Sequence, residues 1–220
     1  MEVVSGLFQT RTFGHGNILK YCKRISLGMT DEEIDLLNSG DDFRVSRETI
    51  QRHDSILIDN INKYVNAEDT LIHLGDFCFG SKYDYVNVAK NYLNRITCKN
   101  IHLVWGNHDR RNIGNLFKSA QDILQINVSG QDFFLCHYAM AIWNKSHRGT
   151  INLYGHSHSG AEEFMDYHFP GRRSMDVGVD NVYKLFGEYR PISYLEVLKI
   201  MKNRKGVFFD HHKNKDAGNE

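Results

Sequence analysis

The chain has 220 residues, 41% of them hydrophobic, which is enough to bury a sizeable core in a single domain. Its 27 Lys and Arg residues equal its 27 Asp and Glu residues, so no overall field attracts nucleic acid or an anionic membrane, and any nucleic-acid contact would need a local patch. The four cysteines form no CxxC pair and the longest apolar runs have only the length of a strand, which argues against a cysteine-bound zinc ion and a membrane span. With no secretory signal at its start, the chain is expected to be soluble and cytoplasmic, without a membrane partner.

The first third of the chain is predicted to contain one strand followed by helices. Residues 3–8 form a short, mostly apolar run typical of a strand, and residues 17–23 follow as a helix. Thr30 and Glu33 have the spacing of a capping box, which predicts that a second helix begins there. Ser46 is a further cap before a long segment with apolar residues at near-helical spacing.

Four later apolar runs each stop at side chains that can bind a metal ion. The runs are TLIHL at 70–74, IHLVW at 101–105, FFLC at 133–136 and INLY at 151–154. A helix is predicted at 83–96, between the first two. Because open α/β sheets place ligands at the carboxyl ends of their strands, this alternation predicts an α/β fold with a site at those ends.

The last part of the chain is predicted to hold a final strand at 175–179 and a helix from Pro191 to about Lys202. Residues from 205 onward are polar and charged. The sequence therefore predicts one domain over 1–204 and a polar C-terminal tail over 205–220.

The polar residues that follow the four runs could supply most of a two-metal site. They are Asp76, Asn107, His137, His156 and His158. A carboxylate can bridge two ions about 3.5–4 Å apart, a spacing that suits phosphoryl transfer, and imidazole with carboxylate favours Mn, Fe, Zn or Ni over Ca. Each residue also has an ordinary interpretation, such as a helix cap for Asp76 or a buried structural role for His137. Two histidines two positions apart can reach one centre only if the chain turns near Gly155.

Four motifs in this order resemble the calcineurin-like metallophosphoesterases. They are GDFCFG at 75–80, GNHDR at 106–110, CHY at 136–138 and GHSH at 155–158. The resemblance covers roughly residues 7–200, and the stretches at 13–24 and 175–197 are similar to small bacterial and phage members. It implies an αββα sandwich, in which two mixed β-sheets are flanked by helices. It also implies hydrolysis of a phosphate ester by attack of a metal-bound water.

The resemblance implies a role for each predicted ligand. Asp76 would bridge two metals, Asn107, His137 and His156 would complete one of them, and His158 would bind the other. Manganese is the first choice of ion, with Fe, Zn, Ni and Mg as alternatives, in one or two copies per chain.

The resemblance also implies a catalytic role for the histidine of the GNHD motif. This is His108, which would contact the phosphate and assist the leaving group, and the neighbouring Asp109 is the natural partner to orient its ring. A loop at 138–148 lies between two of the predicted strands, and its Trp143 and Arg148 could form a substrate rim. Trp143 could equally pack against the edge of the sheet.

The chain departs from the family pattern at its N-terminus. Family members carry Asp-x-His there and supply two more ligands to one metal, whereas this chain has Thr10, Arg11 and Thr12. Three outcomes are open. The second metal is lost, which leaves a mononuclear or weakened enzyme; His15 or another nearby donor fills in; or Arg11 replaces the cation and holds a phosphate. His15 could equally be a metal ligand or phosphate contact, or an ordinary polar loop residue.

We therefore expect a phosphoesterase that acts on a phosphodiester, or on a monoester, and whose substrate could be a nucleotide or nucleic acid. An alternative is a catalytically degenerate member that binds a phosphorylated ligand, a nucleotide or a protein partner without turnover. A third hypothesis is a metal site with a structural role only.

Overall fold

The chain alternates strands and helices over most of its length. The computed structural model describes residues 2–3, 6–10 and 12–207. Its strands are β1 (Glu2–Val3), β2 (Gly6–Gln9), β3 (Thr70–His73), β4 (Asn100–Val104), β5 (Ser119–Gln121), β6 (Ile123–Val128), β7 (Gln131–Cys136), β8 (Ile151–Tyr154), β9 (Ser174–Asp176) and β10 (Ile192–Ser193). Its α-helices are α1 (Gly16–Tyr21), α2 (Asp31–Ser39), α3 (Arg47–Tyr64), α4 (Tyr85–Arg95), α5 (Glu162–His168), α6 (Val179–Phe186) and α7 (Tyr194–Met201).

The strands form two mixed five-stranded sheets. Sheet I has the order β10-β2-β3-β4-β5, and sheet II has the order β1-β6-β7-β8-β9. In sheet I only the β10–β2 pair is antiparallel, and in sheet II only the β6–β7 pair. With the helices that flank them, these sheets confirm the predicted αββα sandwich.

Alternating side chains of sheet I face two different apolar layers. Phe8, Ile72 and Val104 belong to one buried cluster with Leu135 and Leu153 of sheet II, so this layer lies between the sheets. Their chain neighbours belong to a second cluster with side chains of α3 and α4; its members include Leu7, Leu71, Leu103, Leu57, Ile61 and Ala89. Because successive side chains in a strand point to opposite faces, one continuous apolar run supplies both layers.

Several predicted boundaries are wrong, each for a local reason. The strand predicted at 3–8 is two short strands in different sheets, since β1 pairs with β6 and β2 pairs with β3. The strand predicted at 175–179 ends at Asp176, and Gly178 is already the N-cap of α6. The helix predicted from Pro191 begins only at Tyr194, because Ser193 and Glu196 form a capping box. The sequence patterns do not predict β5, β6, β10, α5 or α6.

The two sheets meet at the ends of their parallel strands. An isolated bridge joins Thr10, just after β2, to Gly178, and the Val179 N–H donates to the Thr10 carbonyl at 3.1 Å. The loops that follow β3, β4, β7 and β8 carry the residues predicted to bind metal. In the described part of the chain, no helix combines the length and the apolar character needed to cross a bilayer.

Candidate metal centre

Four of the five predicted ligands converge at the junction of the sheets. The Nε2 atom of His137 lies 3.3 Å from Asp76 Oδ2, 3.1 Å from Asn107 Oδ1 and 3.2 Å from His156 Nδ1. Asp76 and His137 are buried, whereas Asn107 and His156 are exposed. We call these four residues the ligand cluster.

The hydrogen bonding of His137 shows that a cation fits the ligand cluster. His137 Nδ1 lies 2.7 Å from the Leu74 carbonyl oxygen, which can only accept a hydrogen bond, so Nδ1 carries the proton. In the neutral ring Nε2 is then an unprotonated acceptor that faces a carboxylate and an amide oxygen. Acceptors so close together repel one another unless a positive charge lies between them, and a backbone bond of this kind commonly fixes the tautomer of a ligand histidine.

The charges of the cluster also depend on one another. Burial alone would raise the pKa of Asp76, but the hydrogen bond and charge of His137 outweigh it and hold this pKa below its ordinary value. Burial likewise opposes the charge of His137, but Asp76 holds the pKa of the imidazole above its ordinary value. Without an ion, a proton on His137 is the local substitute for positive charge.

Three predicted ligands have a left-handed backbone. The φ angles are +57° at Asp76, +61° at His156 and +48° at His158, a region in which residues other than glycine are uncommon. The turn expected near Gly155 is thus made by the two histidines themselves. Strained conformations of this kind persist where the surrounding structure enforces them, which is common at functional sites.

At two positions of the motifs, Gly75 and Gly106, neighbouring atoms lie too close for a side chain to fit. A Cβ atom on Gly75 would lie 2.4 Å from Nδ1 of His137, and one on Gly106 would lie 2.3 Å from Oδ1 of Asp76. Any larger residue would displace a member of the ligand cluster.

Asp109 does not orient the His108 ring, so this prediction is wrong. One carboxylate oxygen accepts the N–H groups of Asp76 at 2.8 Å and Gly106 at 2.9 Å, and the other accepts that of Phe77 at 2.8 Å. Asp109 therefore ties the loop after β3 to the loop after β4. The His108 N–H donates to Asp76 Oδ1 at 2.8 Å, which leaves Oδ2 to face His137.

Asp176, which the sequence patterns do not predict as a site residue, shapes the GHSH turn. This fully buried carboxylate accepts the Ser157 hydroxyl at 2.8 Å and the Ser159 N–H at 2.9 Å, and also the Gly178 N–H at 2.6 Å. It thereby holds the residues on both sides of His158. The MDVG stretch carried no feature that distinguished this role from that of a strand residue.

His158 lies apart from the ligand cluster and has a different partner. Its Nδ1 is 2.8 Å from Asp180 Oδ2, and Asp180 also accepts two hydrogen bonds, at 2.6 and 2.8 Å, from the fully buried Arg24. The sequence patterns predict neither Asp180 nor Arg24 as a partner. Cys22, His158 and Asp180 are close enough to hold an ion, but Arg24 already supplies the cation for this carboxylate, and burial raises the pKa of the Cys22 thiol to about 12.

The described residues at and near the N-terminal departure are weak metal ligands. Thr10 is buried, its hydroxyl is 3.5 Å from the Leu74 carbonyl, and its side chain packs against Gly155. His15 Nδ1 accepts the Ile18 N–H at 2.9 Å, so its Nε2 carries the proton and is a donor rather than a metal ligand. Arg11 is outside the described residues.

A cleft of about 210 Å³ adjoins these groups. Its lining includes Thr12, His15, Asp76, Phe79, His108 and His158. The Phe79 ring lies between two histidines, with centroids 4.2 Å from His15 and 4.9 Å from His108. His108 is exposed, so its ring is accessible from the cleft.

The predicted rim residues Trp143 and Arg148 are not part of this cleft. Trp143 is buried against Phe134 and Cys136, and its indole N–H donates to the Thr150 carbonyl at 2.9 Å, so the packing alternative is correct. Arg148 is exposed in a short 3₁₀ turn and does not line the cleft. The aromatic residue beside the cluster is instead Tyr138, whose ring centroid is 4.7 Å from that of His156.

A family model for the calcineurin-like phosphoesterase superfamily domain matches residues 52–175, which include all the predicted metal ligands. The chain belongs to this superfamily. Calcineurin-like phosphoesterases bind divalent metals, and the ligand cluster is the corresponding candidate site in this chain.

Individual relatives show how far the similarity extends. The chain is 25% identical over 197 residues to the uncharacterized protein MJ1445 of Methanocaldococcus jannaschii, across 89% of each sequence. Its fold is similar to that of AQ665 from Aquifex aeolicus, a protein of unknown function, with a TM-score of 0.56 at 22% identity, over 89% of this chain and 98% of that one. A structure described as a novel archaeal phosphodiesterase aligns with 86% of this chain and 99% of its own, but the TM-score of 0.38 and 14% identity are too low to support an argument.

Proposed function

We propose that this chain is a metal-dependent hydrolase of phosphate esters, with a phosphodiester as the first substrate class and a monoester as the second. The observation that carries the proposal is that His137 Nε2 lies within 3.3 Å of possible ligand atoms of Asp76, Asn107 and His156, while His137 Nδ1 donates to a backbone carbonyl. A divalent ion held there, manganese by first choice, would supply Lewis acidity that polarises a phosphoryl oxygen and lowers the pKa of a water.

The residues of the cleft would orient the ester and stabilise its charge. His15 offers an N–H to a phosphate oxygen, and the exposed ring of His108 can donate a proton toward the leaving oxygen. Phe79 contacts both rings and limits their movement. The His108 N–H holds the Asp76 carboxylate, so the backbone of this residue supports the ligand cluster while its side chain serves the substrate.

We propose one tightly held ion per chain. Asp180, the partner of His158, is paired with Arg24, and the side chains that line the cleft with His158 include Thr12 and His15 rather than a carboxylate on that side. That half of the cleft would contact phosphate through hydrogen-bond donors. Equilibrium dialysis against Mn²⁺ with elemental analysis is expected to give one ion per parent chain and per His158→Ala chain, and none with His137→Ala. Two ions in the parent would contradict the proposal.

Turnover is tested with bis(p-nitrophenyl) phosphate and p-nitrophenyl phosphate in the presence and absence of Mn²⁺. We expect Mn²⁺-dependent turnover by the parent, a loss of about 100-fold or more with His137→Ala, and a loss of about 10²- to 10⁴-fold with His108→Ala. The control is His168→Ala, which alters an exposed histidine of α5 outside the cleft and should retain parental activity. Equal turnover rates in the parent and in His137→Ala would contradict hydrolysis at the ligand cluster.

A second candidate function is binding of a phosphorylated ligand without turnover. The Thr10 and Thr12 positions favour it, because they remove the acidic and imidazole ligands expected there. In that case calorimetry would detect inorganic phosphate binding to the Mn²⁺-loaded parent, weakened in His108→Ala, while neither ester is hydrolysed.

A further inference from the structure

A second cavity opens beside the cleft. It has a volume of about 400 Å³ and shares two lining residues, Tyr21 and His158, with the cleft. We call it the side cavity. Its size is within the range of about 300–1,000 Å³ that is usual for small-molecule sites.

The walls of the side cavity are aromatic and polar. Tyr21, Tyr183 and Tyr189 line it, and none of the described residues that line it is an aliphatic hydrophobe. Tyr183 is stacked on the buried Tyr189 with ring centroids 4.2 Å apart and an angle of 11° between the planes, yet 40% of Tyr183 remains exposed. Tyr21 is 73% exposed although it is the last residue of α1. An exposed ring that is held by a stacked neighbour, as Tyr183 is, suits a flat aromatic ligand better than an alkyl chain.

The accessible charge of the side cavity is positive. Lys23 and Lys184 line it, and neither forms a salt bridge within the part of the chain that the structure describes. Its acidic residue, Asp180, is buried and bound to Arg24. A ligand that combines an aromatic ring with negative charge matches this lining.

We propose that the side cavity binds the aromatic base of a nucleoside esterified to the phosphate in the cleft. The proposal rests on the proposed function for the position of that phosphate. The base stacks on the tyrosines, and the positive charge of the lysines attracts the negatively charged nucleotide. The substrate class is thus narrowed to nucleotide esters, with Tyr183 as a specificity residue that does not contact the reacting atoms.

The test compares two ribose phosphates, one with an aromatic base and one without. Binding of adenosine 5′-monophosphate and of ribose 5-phosphate to the Mn²⁺-loaded full chain is measured by calorimetry. We expect the parent to bind the nucleotide at least 10-fold more tightly. Since base stacking on an aromatic side chain typically contributes about 10-fold or more, Tyr183→Ala should remove most of this difference and Tyr183→Phe should keep it. Tyr167→Ala, a change at an exposed tyrosine of α5, is the matched control.

The outcomes separate this inference from the proposed function. Equal affinity of the parent for the two ligands, no binding of either, or equal weakening of both by Tyr183→Ala overturns the side-cavity proposal, even if bis(p-nitrophenyl) phosphate is hydrolysed. Tyr183-dependent preference for the nucleotide without any ester turnover supports the side cavity and contradicts hydrolysis.

Discussion

At position 156 the backbone has φ of +61°, a conformation in which a Cβ atom costs about 1–2 kcal/mol. The imidazole of His156 is exposed and its main interactions are with His137 and Tyr138. Without an ion, the side chain therefore contributes little that offsets the strain of its backbone. With an ion, the same strain keeps Nδ1 in position before binding.

Because of this strain, glycine should be more stable than alanine at position 156, which is the reverse of their order inside a helix. In EDTA, His156→Gly should be more stable than His156→Ala by about 1 kcal/mol, because only glycine adopts this φ without cost. The control pair is Gln51→Gly and Gln51→Ala in the interior of α3, where glycine should be the less stable by about 1 kcal/mol. Urea unfolding measures all four, and the same order at both positions would contradict the argument.

The candidate ligands were predictable from sequence because each follows a buried apolar run, but their partners were not. Asp109 is adjacent to His108 in sequence, yet its oxygens accept amides from residues about 30 positions away. From sequence, Trp143 could be an aromatic platform or could pack against the sheet edge, and only the hydrogen bond from its indole N–H to the Thr150 carbonyl distinguishes the two. Such partners depend on which loops and backbone groups meet in the folded protein, which local composition does not specify.

At the scale of the element, one carboxylate joins the starts of two helices. Glu33 completes the capping box of α2 with Thr30 and also accepts the Ser46 N–H at 2.8 Å and the Thr49 hydroxyl at 2.7 Å at the start of α3. Burial opposes the charge of Glu33, but these hydrogen bonds outweigh it and hold its pKa below the ordinary value.

Glu33→Gln should therefore destabilise the protein in a pH-dependent way. At neutral pH we expect a loss of about 1.5 kcal/mol, because hydrogen bonds to a charged acceptor are replaced by weaker ones. A carboxyl whose folded pKa is lowered contributes stability above its unfolded pKa of about 4.3, and this contribution disappears as the pH falls through the folded pKa. Urea unfolding from pH 7 to pH 3 should show the parent and variant converging in acid, and a constant difference would contradict this assignment.

The elements that were predicted correctly are those with strong local signals. Capping residues marked α2 and α3, and continuous apolar runs marked β3, β4, β7 and β8. In contrast, β6 alternates exposed and buried residues instead of forming a continuous apolar run. Its antiparallel pairing with β7 in the structure identifies it as a strand. The stretch at 175–179, which contains Val177 and Val179, is typical of a strand, but Gly178 allows the chain to leave β9 and begin α6.

At the scale of the whole molecule, a buried network of hydrogen-bonded polar side chains connects distant segments. Asp180 is bonded to Arg24, Arg24 Nη1 donates to His53 Nε2 at 3.0 Å, and His53 Nδ1 is 2.9 Å from Asp54. Asp54 in turn accepts the Gly14 N–H and the Tyr92 hydroxyl. This network thus links α6, α3 and α4 to the segment that carries His15.

Removing one partner of this network should lower the free energy of unfolding by more than the intact pair contributes to it. Burial raises the pKa of Asp180, but Arg24 and His158 outweigh it and hold this pKa well below its ordinary value. Asp180→Asn or Arg24→Met alone should each cost about 3–5 kcal/mol, because the remaining charge is left buried without its partner. The double variant should cost less than the sum. Urea unfolding of the three variants provides the cycle, and additive losses would contradict direct coupling.

The pairing of β2 with β10 brings residues 7–8 against residues 192–193, so the two ends of the folded region meet in one sheet. During synthesis at about 5–20 residues per second, β10 leaves the ribosome roughly 10–40 s after β2. Throughout that interval the outer edge of β2 lacks its partner, and an unpaired strand edge is a site for association with other chains. Newly made molecules of this protein should therefore depend on protection of β2 until translation is nearly complete.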